Sequence, residues 1–167
     1  MTRPALRHIS LKMSVFTGLL YFAVASLALL TSRFEGGLAF IWGANGLLMA
    51  EMMTARMRAW PRLILSCMIA STAATALFGI GAMAAMPMAI LNVGEALVVA
   101  YICRRLGVGR QIAASMRELC IFIFALAGVA NVLAAIGAGL VVSTLLGGDF
   151  PHIWLQWYSG HVLGGLI

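Results

Sequence analysis

The stretch Glu118–Leu146, ELCIFIFALAGVANVLAAIGAGLVVSTLL, is a run of apolar and small residues nearly thirty long. A helix needs about 20 such residues to cross the hydrocarbon core of a bilayer. This run therefore reads as a membrane span with length to spare. With Gly128, Asn131, Gly137 and Gly139 along it, it must tilt strongly, kink, or begin outside the membrane as a surface helix.

The rest of the chain follows the same pattern. Further apolar runs at Met13–Thr31, Leu38–Met57, Leu63–Ala82, Met86–Cys103 and Phe150–Ile167 bring the expected number of spans to about six. Of the 167 residues, 63% are hydrophobic and only 10% charged, with mean hydropathy +1.03. A soluble domain carries about 25% charged residues, so this chain lacks the polar surface to face water. The expected fold is all-α, a polytopic integral-membrane helical bundle, with residues 1–12 as an N-terminal segment and 13–167 as the transmembrane domain. Small residues spaced by four, as at Ala70–Ala74 and Ala130–Ala134–Ala138, allow close helix packing.

The net charge of +6 reads as a topology signal and not as a nucleic-acid surface. Arg3, Arg7 and Lys12 form one cluster, Arg56, Arg58 and Arg62 a second, and Arg104, Arg105, Arg110 and Arg117 a third; only Arg33 falls elsewhere. These clusters occupy alternate connections. The positive-inside rule then places the N-terminus and the 56–62 and 104–117 loops in the cytoplasm, with Arg56, Arg58, Arg62, Arg104 and Arg105 as topology-determining residues. Such clusters also suit anionic lipid head groups. Ala23-Val24-Ala25 has the shape of a signal-peptide cleavage site. The apolar run continues past it to Leu30, however, and cleavage would invert every later loop.

Polar residues inside a bilayer face the bundle interior and mark function or specific packing. Here they are Asn45, Asn92, Glu95, Asn131, Gln156 and His161. Asn92 and Glu95, at i and i+3, share one face of the fourth span. His161 lies about 15 Å down the last span at 1.5 Å per residue, a depth similar to that of Glu95, so a Glu95–His161 pair is geometrically possible. Packing and ligand sensing both remain open for Glu95; for Asn131, packing is favoured. Trp42, Trp154, Trp157 and Tyr158 lie near outer helix ends, as interfacial anchors do. Trp154, Trp157 and Tyr158 also share a stripe with His161, which is a candidate lining for an outward-opening pocket.

No cofactor or metal is expected. His152 and His161 are about 13 Å apart along one helix, too far for one haem. Cys67, Cys103 and Cys120 show no CxxC or CxxH spacing. Catalytic motifs are absent, and loops this short leave no room for a soluble active site, so this chain is not read as an enzyme.

Four segments carry a family resemblance. They are Trp42-Gly-Ala-Asn-Gly46; Arg58-Ala-Trp-Pro61 followed by Leu65-Ser-Cys67; Asn92-Val-Gly-Glu-Ala96 ending in Arg104-Arg-Leu-Gly107; and the Trp-rich motif Trp154–Gly164. In order and spacing, over about 125 residues from Phe40 onward, they resemble the bacterial membrane-associated sensor domain of type one, the MASE family. Gly43 stands where that family often has Pro, Ser71 where Asn is common, and His161 where an acidic residue is usual.

The resemblance implies a sensory input domain in a bacterial inner membrane, multi-pass and homodimeric, responding to an unidentified small ligand. Its output would be a cytoplasmic cyclic di-GMP domain (a GGDEF or EAL cyclase or phosphodiesterase) or a histidine kinase. It also implies about two further helices and an output domain beyond this chain. The candidate pocket residues are Trp42, Asn45, Asn92, Glu95, Trp154, Trp157, Tyr158 and His161. An alternative from a different class is a small proton-coupled transporter using Glu95, Asn92 and His161, although the two halves show no internal repeat.

Overall fold

A computed structural model describes residues 6–32, 38–108, 112 and 115–167. Arg3, Arg33 and Arg110 lie outside these described residues, as does most of the connection expected at 32–37. The chain is all-α. Its helices are α1 (Leu11–Thr31), α2 (Ala44–Thr54), α3 (Trp60–Phe78, led in by a 3-10 turn at Met57–Ala59), α4 (Ala82–Arg105), α5 (Met116–Ile123), α6 (Asn131–Leu146) and α7 (Phe150–Leu166). A π-helical stretch, Phe124–Ala130, joins α5 to α6.

Local chemistry sets the boundaries. The Ser10 side chain accepts from the Met13 N–H at the start of α1, and Asp149 accepts from the His152 N–H at the start of α7. These are the short oxygen-bearing side chains that satisfy first-turn donors. Pro61 and Pro151 occupy first turns, where a missing N–H costs nothing. At the end of α4, Val108 donates to the Cys103 carbonyl and Gly107, at φ +75°, to that of Arg104. This is the Schellman pattern, and it gives the Arg104–Gly107 motif its structural meaning.

Four helical segments have the length and apolarity of membrane spans: Leu11–Thr31, Met57–Phe78, Ala82–Arg105 and Met116–Leu146. The expected span Leu38–Met57 forms helix only over Ala44–Thr54, about 16 Å at the α-helical rise. Its first residues run instead across α7, where Trp42 N–H donates to the Gly160 carbonyl at 3.0 Å. Its far end turns extended at Ala55, which forms a bridge with Arg7. The expected last span is a 17-residue helix. The connection expected near 83–87 lies instead at 79–81: the backbone leaves the helical conformation at Gly79, which caps α3, and Gly81, at φ +94°, leads into α4. Pro87 thus falls inside α4.

The helix α4 is central, packing on α2, α3, α6 and the π stretch; α1 packs on α3, and α7 on α6 and α2. Ala70, Ala74, Ala130, Ala134 and Ala138 are all buried. The closest approach is at α7. A Cβ on Gly160 would come within 2.8 Å of the Ala39 carbonyl oxygen, and one on Gly164 would overlap the Trp42 backbone.

Described members of the three basic clusters meet at one end. Arg7 pairs with Glu51 at 3.7 Å and exchanges backbone hydrogen bonds with Thr54 and Arg56. Arg104 donates to the Met52 and Ala55 carbonyls, holding the exit of α2. Arg117 donates to the Leu106 carbonyl.

Gly164→Ala is expected to destabilise the bundle by about 1–3 kcal/mol, since the new methyl meets backbone and not a yielding side chain. Gly94→Ala, with nothing within 4 Å of the added Cβ, should be neutral or stabilising. Unfolding in detergent followed by circular dichroism compares the two, and equal effects would contradict the packing described.

Candidate functional site

The site grows out of the register of α4. Asn92 and Glu95 fall one turn apart on its buried face. His161, on α7, meets them: its Nδ1 lies 2.6 Å from Glu95 Oε2, and the two side chains are 4% and 0% exposed. A carboxyl–imidazole contact this short is a close hydrogen bond that ties α4 to α7. The pairing considered from depth alone is thus formed in the structure.

His161 is held on both faces. The Trp157 ring stacks on it at 4.1 Å and 18°, and the Trp42 ring lies at 5.7 Å and 12°. An indole on each side orients the imidazole by ring stacking. Trp42 reaches this position because Gly160 and Gly164 let its backbone lie on α7.

A second chain of bonds continues from Trp42. Its Nε1 donates to Asn45 Oδ1 at 3.1 Å, and the Tyr21 hydroxyl donates to the same oxygen at 2.7 Å. Asn92 Nδ2 donates to Ser71 Oγ at 2.9 Å. The polar core therefore connects α1, the 38–42 segment, α2, α3, α4 and α7.

A cavity of about 20 Å³ adjoins this core. That is room for about one water-sized molecule. Trp42, Asn92, Trp157 and His161 contribute to its wall, together with apolar residues such as Leu38 and Met88. Asn92 Oδ1 and Trp157 Nε1 are buried without a hydrogen-bond partner, as are Glu95 Oε1 and Asn45 Nδ2. Acceptors and donors both remain open, so the site offers hydrogen bonds of either sense to a small polar occupant.

Of the residues singled out from the sequence, Trp42, Asn45, Asn92, Glu95, Trp157 and His161 come together. Trp154 and Tyr158 stack on each other at 5.3 Å on a half-buried face of α7 and do not line this cavity. Gln156 pairs with His152 toward the surface. Asn131 is fully buried, and neither of its side-chain polar atoms has a partner. Arg56, Arg58, Arg62 and Arg105 are exposed, whereas Arg104 is half-buried. Sequence reading missed Tyr21. Its hydroxyl in the middle of an apolar run was the available signal, of the same kind as Asn45 and Asn92. Among the described residues no cluster of His, Cys, Asp or Glu has the makings of a metal site.

Long apolar helices enclosing a buried polar core define a multi-pass membrane protein. Residues 13–167 match MASE1, and the chain belongs to that family of membrane sensor domains. No curated protein and no solved structure matches it.

Removing one partner of the buried pair, by Glu95→Ala or His161→Ala, is expected to cost about 3–5 kcal/mol. The double variant should cost less than the sum of the two. A double-mutant cycle of unfolding in detergent measures this; strictly additive costs would show that the contact carries no coupling.

Proposed function

We propose that this chain is the sensory input domain of a bacterial inner-membrane signalling protein, with the basic end of the bundle in the cytoplasm. Its output is a cytoplasmic cyclic di-GMP enzyme or histidine kinase, and it works as a homodimer. MASE1 membership supports the sensory role. The observation that carries the mechanism is the Glu95–His161 contact, a buried bond between α4 and α7 beside a cavity with unfilled hydrogen-bonding groups. A stimulus acting at that cavity, on Trp42, Asn92, Trp157 or His161, changes the partners of the pair and shifts α7 relative to α4. Such a shift requires the stimulus to favour one of two helix arrangements, because binding both equally well changes nothing. Trp154 and Tyr158 fit the role of interfacial anchors for α7.

The buried ionisable pair also favours a second reading, a proton-coupled transporter. The two readings part on Glu95→Gln, which keeps the size of the side chain and its ability to hydrogen-bond while removing its ability to exchange a proton. In cells carrying the gene in its native reading frame, the sensor reading expects this variant to change the cyclic di-GMP level or kinase output while the protein level holds. In liposomes with an imposed pH gradient, it expects no proton flux attributable to Glu95. A flux abolished by Glu95→Gln would replace the sensor reading with the transporter, and a reading frame lacking any GGDEF, EAL or kinase domain would remove the direct route to an output.

A further inference from the structure

At the basic end of the bundle, Met57, Trp60, Tyr101, Arg104 and Arg105 line an open recess of about 210 Å³. Two guanidinium groups are fixed there by different means. Arg104 lies 5.4 Å over the Trp60 ring while donating to the carbonyls that end α2. Arg105 lies 5.1 Å over the Tyr101 ring, and its Nε donates to the Tyr101 hydroxyl at 3.0 Å. Among the described residues, neither group lies within ion-pair distance of a carboxylate. The recess is thus a concave surface with two preoriented positive forks and, among the described residues, no acidic partner.

Its position selects the occupant. The recess sits where two long apolar segments, Met57–Phe78 and Ala82–Arg105, both end, at the level where a bilayer meets water. Met57 and Leu106 beside it are 53% and 47% exposed, giving apolar surface next to the charges. A free anion uses only the guanidinium groups. A lipid uses both parts, its phosphate on the arginines and its acyl chains along the apolar wall.

We propose that this recess binds the phosphodiester head group of an anionic phospholipid, with Arg104 and Arg105 as its two phosphate ligands. Orienting the molecule in the membrane asks only that these residues be positive. Holding a phosphate on two sides asks for the planar fork of arginine, which lysine does not supply. That difference separates a built site from a general positive charge.

The test uses the full chain in phosphatidylcholine vesicles containing a minority of brominated phosphatidylglycerol. The comparison vesicles contain the same two lipids in the same proportions, with the bromine carried on phosphatidylcholine at equal bromine content. Bromine quenches tryptophan at contact, and Trp60 lies at this end of the bundle. The expected result is stronger quenching by the brominated anionic lipid, with a preference that falls about three- to tenfold in Arg105→Lys and in Tyr101→Phe. Both residues are exposed, so neither change disturbs the core. Excess inorganic phosphate should leave the preference intact. Three results would overturn the proposal: equal quenching by both lipids, an undiminished preference in Arg105→Lys (surface charge alone), or displacement by inorganic phosphate (a site for aqueous anions).

Discussion

Hydrocarbon offers no hydrogen-bond partner, so a polar side chain carried into the bilayer must find its partner within the protein. In this chain that requirement organises the bundle. Apolar surface drives helices together only weakly when the solvent is itself apolar. The bonds Glu95–His161, Asn92–Ser71 and Tyr21–Asn45–Trp42 are therefore specific links between elements that otherwise share little beyond shape. The glycines of α7 belong to the same arrangement. Without Gly160 and Gly164 the 38–42 segment could not lie on the helix, and Trp42 would not cover His161.

The constraint is met only in part. Asn45, Asn92, Glu95, Asn131 and Trp157 each retain a buried polar atom with no protein partner. Leaving such a group unmade costs about 1–3 kcal/mol. A scaffold built for stability alone would gain by replacing several of these residues with apolar ones of similar shape. Two of them, Asn92 and Trp157, line the cavity, which fits the proposed sensory role, since an occupant that supplies the missing bonds stabilises the arrangement it binds.

Much of this was legible in the sequence, for identifiable reasons. Long apolar runs mark helices because only helices satisfy their own backbone in lipid, and four of the six expected spans have the required length and apolarity. The basic clusters lie on alternate connections, and the described members of all three meet at one end. Glu95 and His161 were matched by depth alone, because rise per residue converts sequence into height. Hydropathy could not separate the non-helical residues before Ala44 from helix, since an apolar segment packed on α7 and an apolar helix in lipid have the same composition. The early end of α3 and the early start of α4 depended on the backbone conformations of Gly79 and Gly81, which no apolar count reports. Tyr21 was passed over because one hydroxyl barely lowers the hydropathy of α1. The inward turn of Trp157 and the outward one of Trp154 depend on how α7 is rotated, which a stripe of four aromatic and polar residues leaves undetermined.

The π stretch at Phe124–Ala130 gives the longest span a swivel. Bonding i to i+5 delays the winding by about one residue relative to an α-helix, which is roughly 100° of rotation. The two helices it joins therefore need not present the same side to the bundle. The effect is visible in how they pack, for α6 buries Asn131, Ala134, Ala135 and Ala138 whereas α5 buries no residue at all. One covalent rod thus works as two independently phased parts. Its far half is keyed into the core, whereas its near half packs less deeply, with Phe122 half-buried against the core and Met116, Arg117, Cys120 and Ile123 exposed.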